Sequence, residues 1–403
     1  MTRENRTLSV VFFTILMDLI GFGIIIPISP FFAESLGATP AAITLLGAGY
    51  SLMQFLFAPF WGRLSDRVGR RPVILSSIVI ATVGYVLFAY SESFAMLFLA
   101  RILSGFGTAN FGAAQAIIAD STPPEHRAKG MGILGAAFGL GFTLGPAVGG
   151  ILGQWGMRVP ILTAATLSAL NFCLAYLLLP ETRAASGVVV PSEVRSPLRQ
   201  ILALAREANL RRLLVLLFVY STAFSMMEQV MALFVEWTWV GAPVSHPTES
   251  AGRASMMTAW AMIVVGITAI IVQGGLIGKL VKRYGEKSLL IAGCVMVGIA
   301  FLAIPFCGYT GYGSFLGVMV LLAGGSGILT PSASSLLSRA TAADEQGHIM
   351  GVGQSLSALG RVFGPAVAGL LFEQGIGLPF VVGGVMILAC AFLGRDFQAV
   401  DRH

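Results

Sequence analysis

Four charged side chains stand well inside long apolar stretches of the sequence, away from their ends: Asp18, Arg101, Glu228 and Arg361. Asp18 lies about ten residues into the first stretch, where a carboxylate in hydrocarbon costs several kcal/mol unless it is protonated or paired. Such a group can carry a proton, or it can be a structural carboxylate bonded to a neighbouring helix. Arg101 shares a helical spacing of i, i+4, i+7, i+11 and i+14 with Gly105, Thr108, Gly112 and Gln115, one small and polar face. An arginine on that face can stabilise Asp18 and help expel its proton, or form a fixed ion pair. Tyr220, Phe224, Met227, Glu228 and Met231 recur at roughly helical spacing, which suits an adaptable apolar pocket. Glu228 can attract a cation, bind a second proton or pair with Arg361. Gln354, Ser357 and Arg361 form a polar stripe at i, i+3 and i+7, and Gln54 joins Thr108 and Gln115 as a candidate cavity residue.

The elements that must position these groups are membrane helices. Of 403 residues, 56% are hydrophobic and only 11% charged, against about 25% charged in soluble domains. Continuous apolar runs of roughly 20 residues recur from end to end, the length a helix needs to span hydrocarbon. A transmembrane barrel would alternate with period two instead. Soluble enzymes, secreted scaffolds and nucleic-acid binders are excluded. The expected fold is an all-α polytopic membrane protein of twelve transmembrane helices, at about 8–33, 42–61, 73–91, 94–119, 129–154, 158–179, 213–239, 256–278, 287–307, 312–338, 348–371 and 376–394. These form an N-terminal six-helix bundle (1–179), a charged, proline-containing interdomain loop (180–212) and a C-terminal six-helix bundle (213–403). The N-terminal residues run into the first apolar stretch without a cleavage site, so that stretch is read as a retained span. Cys173, Cys294, Cys307 and Cys390 fall in or beside apolar runs and read as packing residues.

With the N-terminus inside, the cytoplasmic segments hold 21 of the 25 lysines and arginines and the outer loops hold two, Arg158 and Arg253. The positive-inside rule therefore places both termini in the cytoplasm. Gly62-Arg-Leu-Ser-Asp-Arg-Val-Gly-Arg-Arg71 is echoed by Gly278-Lys-Leu-Val-Lys-Arg-Tyr-Gly-Glu-Lys287, and Gly145-Pro-Ala-Val-Gly-Gly-Ile-Leu152 by Gly364-Pro-Ala-Val-Ala-Gly-Leu-Leu371. The echoes keep their orientation, as two halves related by an axis along the membrane normal would. That pseudo-symmetry suits alternating access. Four scattered histidines offer no membrane-embedded catalytic cluster, and no GxxxxGK[S/T] loop appears, so neither an enzyme nor ATP as the energy source is expected.

The motifs resemble those of the major facilitator superfamily, in its twelve-helix drug/proton antiporter branch that includes the tetracycline exporters. Met17-Asp18-Leu-Ile-Gly21-Phe-Gly-Ile-Ile-Ile-Pro27 looks like the branch's helix 1 motif, and Gly62 to Pro72 like the signature between helices 2 and 3. Leu99-Ala-Arg101-Ile-Leu-Ser-Gly105-Phe-Gly107 looks like the helix 4 motif, and Gly141-Phe-Thr-Leu-Gly145-Pro146-Ala-Val-Gly149-Gly150 like the helix 5 motif of exporters. The resemblance implies proton coupling through Asp18 and Arg101. It implies a cytoplasmic gate built from Gly62, Asp66, Arg67, Gly69, Arg70 and Arg71 with Asp120 and Arg127; by spacing, the two glycines permit a tight turn and Asp66 can cap a helix or face a helix dipole. It also implies an antiporter motif at Gly141, Gly145, Pro146, Gly149 and Gly150, whose glycine spacing serves close helix packing or a seal between the two halves.

The tetracycline exporters carry acids in helices 3 and 9 where this chain has Gly84 and about Val297. Tetracycline is therefore not the expected substrate. The expected activity is proton-coupled export of small amphipathic or lipophilic compounds across the inner membrane. The alternative is a same-fold, proton-coupled transporter of a nutrient, metal complex or lipid. No cofactor or bound metal is expected, and one chain is expected to act as a monomer.

Overall fold

The computed structural model describes residues 3–122, 127–182, 208–241, 247–340 and 346–395, and among them there is no strand. In chain order the helices are α1 (Arg3–Ile25), α2 (Ser29–Ser35), α3 (Pro40–Val68), α4 (Arg70–Ala89), α5 (Phe94–Gly107), α6 (Phe111–Ser121), α7 (Arg127–Leu152) and α8 (Arg158–Leu178). They continue as α9 (Ala208–Val235), α10 (Pro247–Ile271), α11 (Ile277–Tyr284), α12 (Glu286–Ala303), α13 (Cys307–Thr310), α14 (Tyr312–Arg339), α15 (Gln346–Gln374) and α16 (Leu378–Arg395). Among the described residues, ten helices are long and apolar enough to cross a membrane. Side chains such as Leu177 and Phe392, 75% and 66% exposed, face outward, the surface a lipid environment stabilises and water does not.

Two expected helices are broken. The first window runs through Pro27, which has no N–H to donate. Ile26 and Ile28 donate instead to the carbonyls three residues back, Gly23 and Ile25, and the chain restarts as α2. The fourth window breaks at residues 108–110, between α5 and α6. The five-residue face drawn through Arg101, Gly105, Thr108, Gly112 and Gln115 is therefore interrupted after Thr108. Gly105 packs against the Tyr50 backbone, whereas Gly112 faces open space.

The chain divides into two compact units. Unit 1 comprises Met1–Ser192 and Val235–Ile263; unit 2 comprises Glu193–Phe234 and Val264–His403. In unit 1, α1 packs most extensively on α7 and also on α8, while α4 joins α5 to α8. A core of Val11, Ile15, Trp61, Ile74, Ile78, Ile117 and Leu134 lies between them, and the Trp61 indole donates to the Phe106 carbonyl at 2.7 Å. In unit 2, α12 is the central helix, packed on α14 and α16. Cys294, Cys307 and Cys390 are buried, but Cys173 is exposed and so is not a core residue.

Candidate functional site

The α1–α7 contact is made by absence of side chains. A Cβ added at Gly141 would meet Leu19, one at Gly145 would meet the backbone of Gly23 and Ile20, and one at Gly149 would meet the Ile24 carbonyl. Glycines every fourth residue put one bare stripe of α7 against α1. Gly141, Gly145 and Gly149 lie against α1 inside unit 1, with Pro146 against Gly23 in the same contact, and Gly150 turns to α10, at Ser255 and Ala259. The repeat preserves the device. In unit 2, Gly360 and Gly364 of α15 lie against Phe218, Ser221, Thr222, Ser225 and Met226 of α9, and the Ser225 hydroxyl donates to the Gly360 carbonyl at 3.3 Å.

The stripe fixes the helix that carries Asp18. Asn171, fully buried in α8, donates from Nδ2 to Asp18 Oδ1 at 2.8 Å and to the Thr14 carbonyl at 3.0 Å. Tyr85, 2% exposed, lies within electrostatic reach of Asp18, Tyr50 and Arg101. The Arg101 guanidinium is 5.6 Å from the Tyr50 ring centroid and 5.3 Å from that of Phe88, a cation–π position on two rings. Tyr50 also stacks on Phe22 and accepts from the Thr108 hydroxyl at 2.7 Å, while the Gln54 amide donates to Tyr50 and Thr108, both at 3.2 Å. One polar cluster thus joins Asp18, Asn171, Tyr85, Arg101, Tyr50, Thr108 and Gln54. Asn171, Tyr85 and Tyr50 were missed from the sequence. Asn171 had a signal, as the one asparagine in an otherwise apolar window. Gln115 is half-buried in α6, beyond the break.

A second cluster gathers at the opposite end of unit 1 from α2. Gly69 has φ +103°, open to glycine, and a Cβ there would meet the Glu181 carboxylate. Glu181 accepts from the backbone N–H of Arg70 at 3.0 Å and of Arg71 at 3.1 Å, so it caps the start of α4. The expected cap, Asp66, lies in the last turn of α3 and instead accepts from Arg70 Nη1 at 2.6 Å. Arg70 Nε also reaches Asp120 at 3.2 Å and its Nη1 reaches Ser65 at 2.8 Å, while Arg71 donates to the Tyr176 carbonyl. Gly62 makes no close approach: it sits within α3 facing open space. Arg67 is exposed, and the Arg127 side chain lies outside the described residues. Unit 2 carries a copy with the signs reversed. Gly285, at φ +76°, precedes Glu286, which accepts from Ser335 at 2.5 Å and pairs with Arg339 at 3.4 Å.

The remaining expected cavity residues scatter over unit 2. Tyr220 lies 5.7 Å from Phe224, ring to ring, and beside Ser326 and Thr330. Met227 and Met231 are buried, 2% and 1% exposed. Glu228 is half-buried, while Gln354 and Arg361 are exposed two turns apart on α15. Gly84 and Val297 are filled by helix contacts: a Cβ at Gly84 would meet Ser104, and Val297 is fully buried against Gly325.

A sequence model described as Major Facilitator Superfamily matches residues 11–365. The tetracycline resistance protein, class C, of Escherichia coli is 30% identical over 397 residues, covering 96% of each chain. Multidrug resistance protein 2 of Bacillus subtilis (strain 168) is 28% identical over 96% of this chain and 94% of its own. Among solved structures, the human organic anion transporter MFSD10 (TETRAN) superposes with a TM-score of 0.71 at 26% identity, covering 98% of this chain and 100% of that one.

Proposed function

The chain belongs to the major facilitator superfamily, and from that premise we propose that it exports small amphipathic or lipophilic compounds in exchange for protons. The carrying observation is Asp18. It is an acid inside an apolar helix, fixed by a neutral amide from Asn171, with Tyr85 buried within electrostatic reach of both it and the buried Arg101. Protonated, such a carboxyl adds no charge to the bilayer interior; ionised, it relies on Asn171 and on Arg101 nearby. Substrate and proton then compete for one polar cluster, which is the requirement for antiport.

Transport proceeds by alternating access across the inner membrane. The proposed topology has twelve spans, with both termini cytoplasmic by the distribution of lysine and arginine, and divides as 1–179, 180–212 and 213–403. One chain holds the whole pathway and performs no catalysis. The Arg70 network then stands on the cytoplasmic side, where it latches α3, α4, α6 and α8 together while the outer side is open. Efflux by whole cells tests the reading. Accumulation of a lipophilic dye should fall when the protein is expressed and recover when an ionophore collapses the proton gradient. Accumulation unchanged by expression across a broad panel of such compounds counts against export.

A second reading has an amphipathic anion as substrate. It is favoured by the exposed Arg361 on α15 and by the likeness to MFSD10. Competition of organic anions against the dye separates the two.

A further inference from the structure

At the end of unit 1 opposite the Arg70 network, two carboxyl groups meet. Glu34, in the last turn of α2, is hydrogen-bonded to Glu236, the first residue of a π-helical turn (Glu236–Val240) that follows α9. Glu236 is 1% exposed, and its Oε2 is buried with no hydrogen-bond partner. The Trp237 indole donates to Glu34. Two carboxylates at hydrogen-bond distance cannot both be ionised away from water, and a carboxyl–carboxyl hydrogen bond needs a hydrogen that only one of them can supply.

We propose that Glu34 and Glu236 bind one proton between them, forming a proton-binding site separate from Asp18 at the opposite end of unit 1 from the Arg70 network. The roles divide by surroundings. Glu236, buried to 1%, holds the proton and donates it to Glu34, which is half-exposed and takes a second donor from Trp237. Burial pushes the Glu34 carboxyl up from its ordinary range, while its bonds with Glu236 and Trp237 pull it down. The other charged side chains described near this end are Glu92 and Arg158, which line a cavity with Phe32 and Ser35, and the exposed Arg253 of α10. With the proton in place, the π-helical turn is held to α2. Without it, two like charges face each other in a poorly hydrated contact and drive the π-helical turn away. If the transport reading above holds, this is the outer side, and external acid keeps it closed.

Infrared difference spectra of the purified full-length protein test the site, recorded against pH without any transported compound. Wild type should show a protonated carboxyl band that Glu236→Gln abolishes. Glu34→Gln should shift that band and its titration, because the acceptor has changed. Asp18→Asn should leave it in place. Trp237→Phe, which removes a donor to the ionised partner, should make the pair release its proton at higher pH. The proposal is overturned if Glu236→Gln leaves every carboxyl band intact, or if neither Glu34→Gln nor Trp237→Phe moves the band that Glu236→Gln removes. Because no transport is measured, failure here is distinct from failure of the antiport reading.

Discussion

Asn171 holds Asp18 at 2.8 Å and, through the same amide nitrogen, the Thr14 carbonyl one turn earlier at 3.0 Å. A single side chain of α8 therefore sets both the position of the acid and the register of α1 beside it. Replacing Asn171 by Ala removes the donor and leaves a buried acceptor unmet, a loss of about 1–3 kcal/mol. Purified Asn171→Ala should unfold at lower temperature than wild type and lose most of its proton-coupled transport. Combined with Asp18→Asn it should transport no worse than either variant alone, because the two changes strike one interaction. Additive losses would mean that Asn171 acts elsewhere.

The α1–α7 stripe predicts a sharp contrast among glycines of one helix. Gly145→Val places side-chain atoms in the Gly23 backbone and should cost more than the roughly 1–3 kcal/mol of ordinary overpacking, since backbone cannot rotate away. Gly139→Ala, which faces open space in the same helix, should be neutral or slightly stabilising. Folded yield and thermal unfolding in detergent compare them directly.

In the Arg70 network, magnitudes rank the contacts. The Asp66 side chain is 53% exposed and its pair with Arg70 spans the turn between α3 and α4, and exposed pairs contribute about 0.2–1 kcal/mol. Glu181 satisfies two helix-start N–H groups at once, and removing a cap costs about 1 kcal/mol or somewhat more. Glu181→Ala should therefore lower stability and transport more than Asp66→Asn does. Gly69→Ala should behave at least as badly as Glu181→Ala, because it adds backbone strain at φ +103° to a clash with the same carboxylate. The reverse ranking in thermal unfolding would show that Asp66, and not Glu181, anchors α4.

Much of this was legible in the sequence, for identifiable reasons. Apolar runs located the helices because hydrocarbon demands about 20 such residues, and the rarity of charge inside them exposed Asp18 and Arg101. The repeat announced Gly364 as the counterpart of Gly145, and both make the same kind of helix contact. What escaped was whatever depends on partners distant in sequence. Glu181 looked like one more linker charge, because nothing local ties residue 181 to residue 70. Asn171 and Tyr85 acquire their roles only when α8 is packed beside α1 and α4 beside α8. The break in the fourth window was equally invisible, since no proline marks residues 108–110.

The substrate expectation rests on two positions. Gly84, packed beside Ser104, and Val297, fully buried, carry no carboxylate where the sequence comparison expects the tetracycline exporters' acids. Expression in a susceptible host should raise the inhibitory concentration of lipophilic compounds while leaving that of tetracycline within about twofold of the control. Full tetracycline resistance would show that other groups bind the chelate.

The most direct test of the account is proton movement. Energised inside-out vesicles containing wild-type protein should release protons when lipophilic compounds are added, and vesicles containing Asp18→Asn at equal expression should not. A response of equal size in the Asp18→Asn vesicles would contradict the assignment of Asp18 as the exchanged proton's carrier.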